Sequence, residues 1–318
     1  MAAVIEADNI VKVYPGKVTL FNFSLTINEG ELFGLLGPNG AGKSTFIRLL
    51  ISSEKPDSGK IMLFGTTLSK NSMKQIGMAP QENSIYPVLT CMENLLYFGS
   101  LYGVGGKKAK ERASKLLADL DLADKLNVQA GLLSGGMKRR LNLACALMHE
   151  PKIVILDEPT TGLDPSTRRK MWDVVISTVK KNGATLLLTT HYMEEAEALC
   201  TQVAFVNAGQ VIAKGTPEEL KKMAGREIAK LVSIPGDYAS LEPLLKEIKG
   251  IDSVTVTEHG IVLEAAAISQ KVAEISKVFS RKKEKIIELS VSKPSLEDAF
   301  LKLTGAQLKE AQKNVPKK

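Results

Sequence analysis

The sequence predicts an α/β protein with a buried parallel-sheet core, followed along the chain by a small α+β domain. Three observations support this fold class. The glycine-rich segment Gly37–Ser44 lies between the apolar run Leu32–Leu36 and the helix-forming stretch Thr45–Leu50. A second apolar run, Ile153–Leu156, ends at an Asp-Glu pair, as expected of a strand covered on both faces. After residue 222 the apolar segments follow the order strand, helix, strand, strand, helix, strand.

The glycine-rich segment has the pattern G-x-x-x-x-G-K-[ST]. Such a loop turns sharply out of a strand and presents backbone N–H groups to a phosphate, and glycine leaves the approach open. Lys43 supplies a positive charge for the β- and γ-phosphates, and the Ser44 hydroxyl can bind Mg²⁺. A chance lysine in a glycine-rich turn is the alternative, but the strand–loop–helix context favours a nucleoside triphosphate. The predicted nucleotide-binding residues here are Gly37, Pro38, Asn39, Gly40, Ala41, Gly42, Lys43, Ser44 and Thr45.

Composition and charge give little support for a nucleic-acid partner. The chain has 318 residues, 44% hydrophobic and 24% charged, with a formal net charge of +7. Residues 226–318 hold 16 basic and 13 acidic residues, or +3, which leaves +4 for the first 225. Because the positive charge is spread along the chain, no basic patch is indicated, and we expect no nucleic-acid partner.

The three cysteines and the N-terminal residues predict a cytoplasmic protein. Cys91, Cys145 and Cys200 are widely spaced, which is typical of buried thiols in a reducing compartment rather than of a disulfide framework or metal cluster. Glu6 and Asp8 lie where a signal peptide would be basic, and no apolar run approaches the ~18 residues that cross a bilayer. A membrane role would therefore require a partner.

The order of motifs divides the chain into three parts. Residues 1–222 form the predicted nucleotide-binding domain, with antiparallel strands at Val4–Val13 and Phe23–Ile27 and a helical insert over about 90–150. Thr90 and Glu93 fit a capping box at the start of that insert. Residues 226–304 form the α+β accessory domain, and 305–318 are expected to be a disordered polar tail.

Several polar residues follow predicted strands. Asp157 is the candidate acid for Mg²⁺, and Glu158 could polarise water as a general base or could be an ordinary acid at a strand end. His191 also follows an apolar strand, although a single histidine is more often structural. Gln81, after the strand Ile76–Ala79, is uninformative alone.

A predicted helix beginning near Gly135 carries Lys138, Arg139 and Arg140 in its first turns. Basic side chains there oppose the helix dipole, which suggests an anion bound at that end. Arg139 and Arg140 could support closure of a site or solvate a helix face, and a charge run favours the second interpretation.

The order of these motifs resembles the ATP-binding cassette (ABC) family over about residues 4–222. The likeness rests on Leu133-Ser134-Gly135-Gly136-Met137, 23 residues from Ser134 to Asp157, and on Gly162-Leu163-Asp164 and His191 downstream. We call Leu133–Met137 the signature segment. Its Met137 departs from the commoner glutamine, which we expect to leave ATP binding intact.

The resemblance implies a role for each motif residue. Tyr14 would stack on adenine, Ser44, Gln81 and Asp157 would arrange Mg²⁺ and water, Glu158 would be the base and His191 would contact the γ-phosphate. Ser134, Gly135 and Gly136 would bind the γ-phosphate held by a second copy of the chain, and Asp164 would cross that interface. The family also implies a separate integral-membrane permease subunit, with this chain on the cytoplasmic face of the membrane.

The C-terminal part resembles the ATPase subunits of drug-resistance and sodium-extrusion exporters. The segment Pro294-Ser295-Leu296-Glu297-Asp298-Ala299-Phe300-Leu301 carries this likeness, together with Gly136–Leu141. It implies an ATPase that drives export of a drug, lipid or ion. An importer ATPase, or a soluble ABC ATPase acting on ribosomes or DNA, remains the alternative.

Overall fold

The computed structural model describes residues 2–181, 183–257 and 260–313, with side chains for all of these except 17 and 306–313. The chain divides into two compact units at Pro217 and Glu218. The predicted boundary at residues 222–226 lies a few residues further along the chain. None of the helices in the described ranges is both long and apolar enough to cross a bilayer.

The first unit alternates strands and helices. Its elements are β1 (Ala3–Tyr14), β2 (Lys17–Asn28), β3 (Leu32–Leu36), α1 (Lys43–Leu50), β4 (Ser58–Leu63), β5 (Thr66–Thr67), α2 (Lys70–Met73), β6 (Ile76–Ala79), α3 (Cys91–Leu101), α4 (Gly106–Asp119), α5 (Gly135–Leu147), β7 (Ile153–Asp157), α6 (Pro165–Lys181), β8 (Thr185–Thr190), α7 (Met193–Leu199), β9 (Gln202–Asn207), β10 (Gln210–Gly215) and α8 (Pro217–Ala224), which continues into the second unit.

A six-stranded sheet forms the centre of the first unit. Its strand order is β10-β9-β3-β8-β7-β6, and all neighbours are parallel except β9 and β10. Every residue of β3, β7 and β8 is buried. Because the carboxyl ends of parallel strands lie along one edge, the segments after β3, β6, β7 and β8 meet there. Those segments carry most of the predicted site residues.

A second sheet, with the order β2-β1-β4-β5, is antiparallel throughout. Its buried face shares one hydrophobic core with β3 and α1, where the rings of Phe23 and Phe46 lie 4.7 Å apart. This sheet is the predicted antiparallel subdomain. Its core contact with α1 gives the glycine-rich loop a rigid base.

Three helices, α3 to α5, form the predicted helical insert. The capping box at its start is present: the Thr90 hydroxyl accepts from the backbone N–H of Glu93, and the Glu93 carboxylate accepts from the N–H of Thr90. The buried face of α4 contains Ala109, Ala113, Leu116 and Leu117. The predicted insert is therefore helical, and its first helix begins at the predicted capping box.

The second unit is an antiparallel sheet covered by helices. Its elements are β11 (Glu227–Ile234), α9 (Tyr238–Lys246), β12 (Ile251–Thr257), β13 (Gly260–Ala265), α10 (Val272–Arg281), β14 (Lys285–Ser292) and α11 (Leu296–Lys313). The strand order is β12-β13-β11-β14. The predicted succession of strands and helices is therefore confirmed.

The chain after residue 304 differs from the prediction of a disordered tail. Helix α11 continues to Lys313, whereas residues 314–318 lie outside the described part of the chain. Residues 306–313 consist of Ala, Gln, Leu, Lys and Glu, which have high helix propensity. These residues lack apolar periodicity, but periodicity reports the packing of a helix face and not the propensity to form a helix.

Candidate functional site

The loop between β3 and α1 requires glycine at two positions for different reasons. A Cβ atom on Gly37 would lie 2.2 Å from the carbonyl oxygen of Val206. Gly42, which precedes α1, has a φ of 109°, a conformation that residues with side chains rarely adopt. The loop therefore keeps its close path over β9 and its turn into the helix only with glycine at these positions.

This loop borders a cavity of about 410 Å³. The residues lining it are Tyr14, Thr19, Asn39, Gly40, Gly42, Lys43, Ser44, Thr45, Gln81 and Glu158. All except Thr19 were predicted site residues. Gly37, Pro38 and Ala41 belong to the same loop without lining the cavity. Thr19, on β2, was missed because no motif marks it.

Lys43 is the cation of the cavity. Its Nζ donates to the carbonyl oxygens of Gly37 at 2.6 Å and Pro38 at 3.1 Å, and it lies 3.9 Å from Oε1 of Glu158. Burial lowers the pKa of Lys43, while Glu158 and Asp157 act in the opposite direction. The two carbonyls hold the ammonium group of Lys43 beside the loop, at the border of the cavity.

Asp157 ends β7 and is 7% exposed. The hydroxyl of Thr189, on the neighbouring strand β8, donates to its Oδ1. Burial raises the pKa of Asp157, and hydrogen bonds from Thr189 and Ser44 counteract part of this effect. No motif marks Thr189 in the sequence, although its place two residues before His191 on a buried strand could have indicated it.

The carboxylate of Glu158 lies close to several other polar side chains of the site. Its Oε2 accepts from Thr161 Oγ1 at 3.1 Å and from Gln81 Nε2 at 3.5 Å. Its φ of 48° places the backbone in the left-handed region, which is unfavourable for a residue with a long side chain. Strained backbone of this kind is concentrated at functional sites, where surrounding structure enforces it.

His191 lies directly after β8 and close to Glu158. Its Nδ1 is 3.3 Å from Oε1 of Glu158 but makes no hydrogen bond. The imidazole also lies against the ring of Tyr192, with 4.1 Å between ring centres. The structure therefore brings Gln81, Asp157, Glu158 and His191 together at the edge of the sheet beside Lys43.

The signature segment lies apart from this cavity within the chain. Ser134 caps α5, its hydroxyl accepting from the N–H of Met137 at 3.3 Å, and it is exposed. A Cβ atom on Gly135 would meet nothing within 4 Å. Neither Ser134 nor the two glycines line the cavity that contains Lys43. Ser134 therefore lies at an exposed helix N-terminus, outside the cavity of its own chain.

Asp164 caps the next helix of the core. Its carboxylate accepts from the N–H of Thr167 at 3.0 Å and from the Thr167 hydroxyl. These bonds lower the pKa of Asp164. The side chain is exposed and is not part of the cavity.

Tyr14 lines the cavity and also contacts two side chains outside it. Its hydroxyl donates to Oε2 of Glu54, and Nζ of Lys12 lies 5.5 Å from the ring centre. These two contacts hold the ring at the border of the cavity. Its role in stacking on adenine stays a prediction.

The favoured interpretation of Arg139 and Arg140 as a solvated face is wrong. Arg139 Nη1 donates to the carbonyl of Pro80 at 3.3 Å, and Arg140 Nη1 donates to the carbonyls of Leu120 and Asp121. Both side chains are half-buried. Their partners are distant in sequence, so the charge run alone could not reveal them.

Comparison with known proteins identifies the family. The model of the ABC transporter family matches residues 20–161, and the model "ATP-binding protein DrrA1-3-like, C-terminal domain" matches residues 215–304. The linearmycin resistance ATP-binding protein LnrL of Bacillus subtilis is 36% identical over 311 residues, covering 96% of this chain and 100% of that protein. The chain belongs to the ABC transporter ATPases.

Two further likenesses agree with this family, one over nearly the whole chain and one over about two thirds of it. The daunorubicin resistance ATP-binding protein DrrA2 of Streptomyces coeruleorubidus is 35% identical over 315 residues, covering 95% of each chain. An ATP-binding cassette solved as a dimer after hydrolysis, with ADP and Pi bound, has a TM-score of 0.61 and 26% identity. It covers 67% of this chain and 98% of that one. The predicted family, fold class and ATPase activity are confirmed, and the family acts with membrane components.

Proposed function

We propose that this ATPase binds and hydrolyses ATP with the residues gathered at the edge of the parallel sheet. The observation that carries the proposal is that Lys43, Gln81 and Glu158 line one cavity, with Asp157 and His191 next to Glu158 at the same edge of the sheet. Lys43 would exchange the carbonyls of Gly37 and Pro38 for phosphate oxygens, and the amides of residues 39–45 would surround the phosphates. Tyr14 would supply the aromatic face for adenine.

In the proposed reaction Glu158 acts on the attacking water. Its carboxylate lies within reach of Gln81 and His191, so a water between them could be oriented by the amide and give its proton to Glu158. His191 would contact the γ-phosphate from the side of β8. Lys43 would stabilise the charge that develops on the phosphate oxygens.

Mg²⁺ fits the oxygen ligands at this edge. Ser44 offers a hydroxyl, Asp157 a carboxylate and Gln81 an amide oxygen, and Mg²⁺ prefers such ligands together with substrate phosphates. Among the described residues no cluster of three His, Cys, Asp or Glu side chains could hold a metal. This chain would therefore supply few ligands and share the ion with ATP. The bound ion would neutralise phosphate charge.

The proposed active site is completed by a second copy of the chain. Ser134 lies exposed at the N-terminus of α5 and outside the cavity of its own chain, so it is free to meet a γ-phosphate held elsewhere. The related cassette that is a dimer supports this arrangement. Asp164, exposed at the start of α6, would lie at the same interface.

We also propose that this chain is the ATPase of an exporter. It would bind a separate membrane-spanning permease from the cytoplasmic face of the membrane. Two relatives that match nearly the whole chain are named for resistance to linearmycin and to daunorubicin. A transporter gives such resistance most simply by moving the compound out. Fractionation of cells that produce the chain tests this proposal. We expect the chain to be recovered with the membranes, and association with ribosomes and none with membranes would contradict it.

The substitution Glu158→Gln tests the catalytic proposal. Gln keeps the size of the side chain but cannot accept the proton, so we expect a fall in ATP turnover of about 10²–10⁴-fold with ATP binding intact. The ATP-bound dimer should accumulate and can be measured by size-exclusion chromatography. The control is Glu29→Gln, which changes an exposed carboxylate in a turn. Near-normal hydrolysis by Glu158→Gln would remove Glu158 from the role of base.

A further inference from the structure

The backbone carbonyl of Pro80, the residue before Gln81, accepts two side-chain hydrogen bonds from one helix. Nη1 of Arg139 and Nδ2 of Asn142 each lie 3.3 Å from this oxygen. The two donors are three residues apart on α5 and so share one face of that helix. This is the helix that begins at the signature segment.

Asn142 also holds the other end of the same loop. Its Oδ1 accepts from Ser84 Oγ at 2.9 Å and from the backbone N–H of Ser84 at 3.4 Å. The orientation of the amide follows from its partners, because the Pro80 carbonyl can only accept and the Ser84 N–H can only donate. With an exposure of 2%, Asn142 is a buried bridge across residues 80–84.

Arg139 adds a charge to this bridge. Burial lowers the pKa of its guanidinium, and the carboxylates of Asp157 and Glu158 oppose that effect, so the group lies within their field. Arg140, the next residue, is directed elsewhere: its Nη1 lies 2.8 Å from a carboxylate oxygen of Asp121. Adjacent arginines therefore hold different parts of the structure.

We propose that Arg139 and Asn142 are positioning residues that clamp the Gln81 loop to the signature helix. The proposal rests on the proposed role of Gln81, whose Nε2 lies 3.5 Å from Oε2 of Glu158. Because α5 begins at Ser134, the clamp joins the loop that faces the chain's own ATP to the serine offered to the second copy. A displacement of Gln81 on binding ATP would thus move the signature helix as well.

Steady-state ATPase kinetics test the clamp. In Arg139→Ala we expect kcat to fall about tenfold, because a charged hydrogen bond is lost, while KM for ATP changes less than about twofold. Arg139→Lys, which keeps the positive charge and N–H donors at the end of a long side chain, should recover most of kcat. The matched control Arg140→Ala removes a half-buried arginine of the same helix and should keep kcat within about twofold. Thermal unfolding checks that all variants are folded.

A double-mutant cycle separates the clamp from a purely structural effect. If Arg139 acts through Gln81, the variant Arg139→Ala with Gln81→Ala should be no slower than Gln81→Ala alone. Asn142→Ala should show the same non-additivity. Equal losses of kcat in Arg139→Ala and Arg140→Ala, or additive effects in the cycle, would overturn the clamp. An unchanged kcat in Gln81→Ala would instead overturn the proposed role of Gln81 itself.

Discussion

Glu195 is a buried acid that bonds to residues next to the site. Its side chain has no exposed surface, and its Oε1 accepts from Thr160 Oγ1 at 2.8 Å and from Trp172 Nε1 at 3.2 Å. Thr160 follows Glu158 by two residues, and Trp172 lies on α6, which Asp164 caps. Glu195 therefore connects the segment after β7 to α6 and to its own helix α7.

Two substitutions of Glu195 distinguish the loss of its acceptor oxygen from the loss of its ionisable group. In Glu195→Ala the hydroxyl of Thr160 and the indole N–H of Trp172 lose their acceptor, which should cost about 1–3 kcal/mol in the free energy of unfolding. Glu195→Gln keeps an acceptor oxygen and should lose much less. Urea denaturation measures both, and equal losses in the two variants would contradict this explanation.

The pH dependence of the same variants follows from the pKa of Glu195, which burial raises. Because the folded chain binds this proton more readily than the unfolded chain, wild-type stability contributed by this group falls as pH rises between the two pKa values. Glu195→Gln lacks this group. Its stability relative to the wild type should therefore be higher above that interval than below it.

The sequence indicates residues that carry chemistry more readily than residues that support them. Lys43, Asp157 and Glu158 lie in local motifs, and each is found where a motif predicts. Arg139 and Asn142 bond to Pro80, about 60 residues away in the sequence, and Glu195 bonds to Thr160, 35 residues away. Such partners follow from packing of the whole unit, which no local pattern contains.

Glycines in two elements should respond to alanine in opposite ways. In Gly37→Ala the added Cβ meets the carbonyl of Val206 at 2.2 Å, so the strand or loop must shift, and we expect a loss of at least about 2 kcal/mol. In Gly135→Ala, at the first position of α5, the Cβ meets nothing, and stability should be unchanged or rise by up to about 1 kcal/mol. Chemical denaturation compares the two, and similar losses would contradict the clash as the cause.

The elements themselves were largely predictable because their burial is regular. β3, β7 and β8 are buried on both faces. In the sequence β3 and most of β7 are continuous apolar runs, and β8 contains three consecutive leucines, Leu186–Leu188. The capping box at Thr90 marks the start of α3 within one residue. The end of α11 was not predictable from periodicity, since residues 305–313 lack an apolar face.

At the scale of the whole molecule, each unit has a hydrophobic core of its own. One core joins the antiparallel sheet, α1 and the parallel sheet of the first unit, and the other joins the sheet of the second unit to α9 and α10. All predicted site residues lie in the first unit. Each chain therefore carries one phosphate-binding loop and one signature segment, which the proposed function places in two different sites.

This arrangement predicts complementation between two inactive variants. Ser134→Arg blocks the signature segment but leaves the loop, so one chain should still bind ATP without hydrolysing it. Lys43→Ala removes the phosphate cation but leaves the signature segment. In an equal mixture of the two, half of randomly formed dimers contain one intact composite site, and activity should recover to at most about a quarter of the wild type. A dimer of either variant alone contains no intact composite site. A mixture that is no more active than its components would therefore contradict the shared site. Full activity of Ser134→Arg alone would contradict it too.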